Sequence, residues 1–140
     1  MVKVLVAASL FLFLPPIFAA TSDNCQPNTD SYYEKKIIGT RLESESLTLF
    51  GKTYLAITIF KPDHTFIGKI VNKDDHNDAV KAVSGDWKIK DGKLYETIKA
   101  SFIVFPIPNS VDQILCMNET MYKAKHLSDE KTIYTSTKLQ

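Results

Sequence analysis

Three carboxylates on strand-like segments, Glu43, Glu45 and Glu96, and three histidines, His64, His76 and His126, are the residues of this 140-residue chain suited to acid–base chemistry. Two carboxylates sharing a low-dielectric interior would drive their pKa values apart and divide into an acid and a base. Two of these glutamates could share such an interior, but nothing in their spacing pairs them. The histidines fall at separate turns, outside any motif that sets a base beside a nucleophile. No serine sits in a G-x-S-x-G turn, and neither an H-E-x-x-H helix nor a glycine-rich phosphate loop is present. The chain therefore reads as non-enzymatic, with no catalytic residue assigned. The run Asn72-Lys73-Asp74-Asp75-His76-Asn77-Asp78 collects metal-ligand types, yet it fails the calcium-loop template. Counted from Asp74, the sixth position is Ala79 rather than glycine, and the twelfth is not glutamate. Turn chemistry accounts for the same composition, so no metal and no cofactor is expected.

The elements that would position these groups begin after an export signal. Met1-Val2-Lys3 is a short basic start, 4–14 is an uninterrupted apolar run, Pro15-Pro16 break it, and Ala19-Ala20 offer a cleavage point. Residues 1–20 thus have the layout of a secretory signal peptide, too short for a comfortable membrane span. The expected location is secreted or periplasmic, with no stable membrane span after cleavage. Residues 21–36 read as an N-terminal arm, with a helical turn over 31–36 capped by Ser31 and with Glu34 at the capping-box position. Residues 37–140 read as one β-domain, long enough to bury roughly two-thirds of its unfolded surface without a metal. Of the 17 basic residues, Lys3 lies in the signal, leaving 16 against 16 acidic. That neutrality, with the signs interspersed, argues against a nucleic-acid groove or a polybasic membrane patch.

Two cysteines follow the signal, Cys25 and Cys116. In an oxidising compartment an intramolecular bridge is the leading expectation. It would tie the arm to a late strand across a long loop, worth roughly 4 to 5 kcal/mol on chain-entropy grounds. Two buried free thiols or an intermolecular bond are the competing arrangements. Asn118-Glu119-Thr120 fits a glycosylation sequon if the source is eukaryotic.

Apolar-rich runs separated by turn signals give strands over 37–47, 53–61, 65–72, 83–90, 94–102, 113–123 and 132–139. Pro62-Asp63-His64 and Asp91-Gly92 mark two hairpins, and the single tryptophan, Trp87, leads into the second. Trp87-Lys88-Ile89-Lys90 alternates apolar and basic side chains, so one face is buried and the other is wet. Leu94, Ile98 and Phe102 oppose Tyr95, Thr97 and Lys99 in the same way, which points Glu96 inward. The run 54–60 is instead apolar on both faces, marking either double coverage or a contact surface. The stretch Phe102-Ile103-Val104-Phe105-Pro106-Ile107-Pro108 is apolar but broken by prolines, so it cannot continue as a central strand. It reads as a plug over one barrel end or as a flap over a mouth. The fold class is all-β, an antiparallel meander closing into a small barrel of about seven to eight strands.

The order of Gly39-Thr40-Arg41, Phe60-Lys61-Pro62-Asp63, Gly85-Asp86-Trp87, Asp91 to Leu94 and a closing basic Lys138 resembles the small exported lipocalin-like (calycin) β-barrels, over 37–138. Two positions depart from that pattern: Arg41 stands where tryptophan is common, and His64 where glycine is. The resemblance implies that Arg41 stacks on Trp87 at the barrel base. It also implies a small hydrophobic ligand in the barrel, lined by Tyr54, Phe60, Phe66, Trp87, Ile89, Leu94 and Ile98, all of which would equally serve as ordinary core. The alternative is a protein-interaction module, an envelope accessory factor or inhibitor, using Ile57, Phe102, Phe105 and Ile107 as its surface.

Overall fold

The computed structural model describes residues 26–75, 77–103, 107–128 and 132–140, with the backbone alone at Glu45 and Leu49. Among these residues eight antiparallel strands follow one another around a closed barrel. They are β1 (Gly39–Leu49), β2 (Lys52–Phe60), β3 (Thr65–Asn72), β4 (Ala79–Lys90), β5 (Lys93–Ser101), β6 (Ser110–Met117), β7 (Met121–His126) and β8 (Ile133–Lys138). Closure is made by β8 returning to β1, through Arg41 opposite Lys138, Leu42 opposite Thr137 and Glu43 opposite Ser136. The all-β meander expected from the sequence is the fold. Its closure removes the unpaired edges that a flat sheet would expose.

Local chemistry sets the turns. Asp91 and Gly92 both take positive φ, 52° and 70°, the type I′ geometry whose twist matches the flanking strands and which Asp-Gly favours. In the β2–β3 hairpin His64 also takes positive φ, 63°, where a glycine would carry no steric cost. Its imidazole stacks on Trp87 at 4.6 Å, while the Trp87 indole N–H donates to the Lys61 carbonyl at 3.1 Å. The hairpin is thereby folded down over the tryptophan. The guanidinium of Arg41 takes a different partner from the one the resemblance implied. It lies over the Tyr122 ring, 5.1 Å from its centroid, and donates to the carbonyls of Ile37, at 2.9 Å, and Lys36. Trp87 is packed by His64 and Phe60 instead. The reason is placement: Arg41 starts β1 beside the helix end, and the aromatic reaching it comes from β7.

Among the described residues one helix, α1 (Asp30–Ile37), precedes the strands. Eight residues cannot hold a helix by propensity alone, so capping and burial must do it. The N-cap is Thr29, whose side chain accepts from the Tyr32 amide, not Ser31 as the sequence suggested. The helix begins earlier and also takes Ile37, so β1 starts only at Gly39. Tyr33 and Ile37, at 1% and 0% exposure, join Phe60, Trp87, Leu94 and Tyr122 in the core cluster. The helix is the floor of the barrel. Asp30 pins it there, because its two carboxylate oxygens accept from the amides of Asp91 and Gly92, each at 2.8 Å. Asp30→Ala is expected to cost about 2 kcal/mol, since two charge-assisted hydrogen bonds are lost. Urea denaturation checks this, with Asp30→Asn falling between the two.

Three further boundaries differ from the sequence reading. The segment 113–123 is two strands, β6 and β7, joined by a tight turn at Asn118. There Asn118 Oδ1 accepts from the Thr120 amide and the Met121 amide, each at 2.9 Å, and from the Thr120 hydroxyl at 3.2 Å. β6 begins at Ser110 and β4 at Ala79, so both strands reach further into the flanking turns than the apolar runs indicated. The expected signal peptide, Cys25, His76 and Phe105 lie outside the described residues.

Candidate functional site

Burial along the inward faces shows where the barrel is closed and where it opens. On β2, Phe60 and Thr58 are buried, at 2% and 7% exposure, whereas Ala56 and Tyr54 on the same face are only half-buried. On β5, Leu94 is fully buried and the next inward positions, Glu96 and Ile98, are half-buried. On β1, Arg41 is fully buried and Glu43 half-buried. Successive same-face residues lie roughly 7 Å apart along a strand, so access to solvent rises within two steps of the floor. Among the described residues the barrel is a cup, plugged by α1 and open toward the end carrying the β1–β2, β3–β4, β5–β6 and β7–β8 connections.

The middle of this cup is polar. Glu43 of β1 accepts from the Thr58 hydroxyl at 3.1 Å, and Glu96 of β5 accepts from Ser110 Oγ at 2.8 Å. Asp112 of β6, 1% exposed, accepts from His126 Nδ1 at 2.5 Å and from the Tyr134 hydroxyl at 2.9 Å. Tyr134 also meets the Tyr122 hydroxyl at 3.3 Å and stacks on His126 at 4.7 Å. Burial, reinforced by the neighbouring charges of Glu43 and Asp112, pushes the Glu96 carboxyl up to about 7 despite the Ser110 hydrogen bond. Burial likewise raises the Tyr122 and Tyr134 phenols well above their ordinary range. Desolvation lowers the pKa of the Arg41 guanidinium at the floor. Three carboxyls, from β1, β5 and β6, thus share one interior. The central one is poised between its charged and neutral forms at neutral pH.

The residues singled out in the sequence that fall among the described residues can be placed. Phe60, Phe66, Trp87, Ile89 and Leu94 belong to the buried core cluster. Tyr54 and Ile98 face the cup higher up and are half-buried. Ile57 is on the opposite face of β2, pointing outward and half-buried. Phe102 and Ile107 are exposed, at 53% and 36%, with the Lys81 ammonium 4.2 Å above the Phe102 ring. In the loop after β3, Asn72 Oδ1 accepts from the Asp74 amide and Asp75 Oδ1 from the Asn77 amide, which is turn chemistry. Of the polar interior, sequence reasoning names Glu43, Glu96 and His126 without assembling them. Asp112, Tyr122, Tyr134 and Ser136 escape it.

Among the described residues, the exposed large hydrophobic side chains also have a pattern. Leu47, Phe50, Val80, Phe102, Ile107 and Ile133 are all at the open end, and only Leu139 is at the helix end. Phe50 is 95% exposed at the tip of the β1–β2 turn. A separate depression of about 320 Å³ lies outside the barrel between β3, β4 and β5, where Lys61, Lys81 and Lys99 gather. The chain matches no protein-family model and no curated protein, so geometry carries the functional reading.

Proposed function

We propose that this chain is an exported, non-enzymatic, lipocalin-like barrel that holds a small molecule with an apolar body in its cup. The observation that carries this is the gradient of burial, with inward-facing Tyr54, Ala56 and Ile98 half-buried above a sealed floor. Pockets for small molecules are typically apolar concavities with a few convergent polar groups, often at the mouths of barrels. This interior has that composition. The hydrogen bonds of the cup pair Asp112 with His126 and Tyr134, and Ser110 with Glu96. The arrangement orders a binding surface. The export signal at 1–20 supplies the location, secreted or periplasmic. A Cys25–Cys116 bridge would anchor the arm to β6, where Cys116 is 6% exposed.

Native mass spectrometry of gently purified protein tests the reading. A small-molecule mass is expected to travel with the wild type and to be lost from Ala56→Trp, which fills the cup from the inward face of β2 while leaving the floor intact. A wild-type spectrum showing protein alone would sink it.

A second reading is favoured by the apolar residues that ring the open end. In it the mouth docks on a partner protein, as an accessory factor or inhibitor, through Phe50, Phe102 and Ile107, joined by the outward-facing Ile57 and by Phe105. Phe50→Asp and Phe102→Asp would then abolish a partner's capture without changing the thermal stability.

A further inference from the structure

We propose that the ligand of the cup is a small primary amine, whose ammonium sits among Glu96, Glu43 and Ser136 while its apolar body fills the space toward the mouth. This rests on the binding reading above and names its chemistry.

The first observation is charge placement. Glu43, Glu96 and Asp112 turn into the barrel from three different strands. Arg41 is the cation beneath them, and two of its nitrogens are engaged with the carbonyls of Ile37 and Lys36 at the floor. Asp112 is held by the His126 ring and the Tyr134 hydroxyl. Glu96 receives its hydrogen bond from a neutral donor, the Ser110 hydroxyl. Among the described residues that carboxylate takes no hydrogen bond from a charged donor, and an entering ammonium would supply one.

The second observation is independent of the carboxyls. Ser136 is fully buried, and its Oγ has no hydrogen-bond partner. It lies opposite Glu43 on β1 and opposite Tyr122 on β7, and it shares the buried face of β8 with Tyr134. An unsatisfied hydroxyl at 0% exposure is costly to leave unmade. Its position places one polar atom in the same interior as the acids. An ammonium has three donors and no acceptor, which matches carboxylate oxygens and a hydroxyl.

An anionic ligand is the natural rival, because Arg41 Nη1 is also buried without a partner. That guanidinium, however, sits at the floor, over Tyr122 and against the end of α1. Glu43 stands one inward step above it on the same strand, and Glu96 and Asp112 face the same space. An anion would have to pass three carboxyls to reach one cation, whereas an ammonium meets the carboxyls first. The described residues hold no cluster of histidine, cysteine and carboxylates suited to a metal ion, which leaves an organic cation as the class.

Entry of an ammonium favours the ionised form of Glu96. With its carboxyl near 7, faced by Glu43 from β1, Asp112 from β6, His126, Tyr122 and Arg41, binding at pH 7 would release about half a proton. The same linkage makes binding weaken in acid.

Three probes with one aromatic body separate the possibilities in isothermal titration calorimetry: 2-phenylethylamine, 2-phenylethanol and 3-phenylpropionate. The amine is expected to bind at least ten-fold more tightly than the alcohol at pH 7.5, with proton release seen across buffers of differing ionisation enthalpy. Wild-type affinity for the amine should fall about ten-fold between pH 7.5 and 5, and Glu96→Gln should bring the amine-to-alcohol ratio near one. Equal or tighter binding of the alcohol or the acid would overturn the amine assignment while keeping the cup. Binding of none of the three at millimolar concentration would overturn both. An amine preference unchanged in acid would overturn it without recourse to any variant.

Discussion

Gly85→Ala is expected to cost about 3 kcal/mol or more, lowering the melting temperature by about 12 °C. A Cβ built on Gly85 would lie 2.0 Å from the Thr97 carbonyl oxygen and 2.9 Å from the Phe66 ring. Both distances are far inside van der Waals contact, and the nearer atom is backbone. The cause is the irregularity in β5, where Lys99 is the extra residue between Ala100, opposite Ser84, and Ile98, opposite Gly85. Bulges of this kind bend a strand and sharpen its twist, and here the bend brings β5 onto β4 just before Trp87. Overpacking a core ordinarily costs about 1–3 kcal/mol because side chains rearrange. A carbonyl in a strand ladder has little room to do so. Gly68→Ala is the control. Its Cβ would meet Val83 Cγ2 at 2.7 Å, a side-chain methyl that can turn aside, so its loss should be under half as large. Thermal denaturation of the two variants side by side decides the point; equal losses would contradict it.

The second large effect belongs to Glu96. Its carboxyl is raised from 4.5 to about 7 in the folded state, chiefly by burial and then by the charges of Glu43 and Asp112. Between those two values the native protein holds a proton that the unfolded chain has released, so stability is greatest below pH 4.5 and falls as pH rises through 7. The shift is worth up to about 3 kcal/mol. Glu96→Gln keeps the shape and the hydrogen bond to Ser110 but has no charge to bury. It should therefore be more stable than the wild type at pH 8, by up to that amount, and indistinguishable from it near pH 4. Urea midpoints taken across that range test the sign. A variant less stable at pH 8 would mean that the ionised carboxylate is held by a partner other than Ser110.

How much of this was legible in the sequence depended on how local each signal was. Asp91-Gly92 and Pro62-Asp63-His64 declare their turns through backbone preference, and Trp87-Lys88-Ile89-Lys90 declares its faces through alternation. Those features carry the meander and the position of Trp87. The turn at Asn118 is hidden because Asn-Glu-Thr interrupts an otherwise apolar run only briefly. What stops the strand is one side chain accepting three hydrogen bonds. A missed turn also loses the parity of the next strand, and parity decides which face points in. For that reason the pattern alone does not set Tyr122 and His126 of β7 beside Asp112. Asp112 itself reads as part of a turn after Pro108, although β6 begins at Ser110. Glu96 is expected to point inward from its own strand, and it does so half-buried. Its neighbours Glu43 and Asp112 lie 53 residues before it and 16 after it in the chain, a proximity that only closure of the barrel creates.

The ionisable interior is the claim on which the binding chemistry depends, and carbon-13 NMR of the glutamate side-chain carboxyls as a function of pH tests it most directly. The Glu96 signal, assigned by its absence in Glu96→Gln, should titrate with a midpoint near 7, and the Ser110 and His126 resonances should respond with it. A midpoint near 4.5, the ordinary value for a solvated glutamate, would contradict the account. It would mean that water fills the cup and that the three carboxyls do not share a common low-dielectric space.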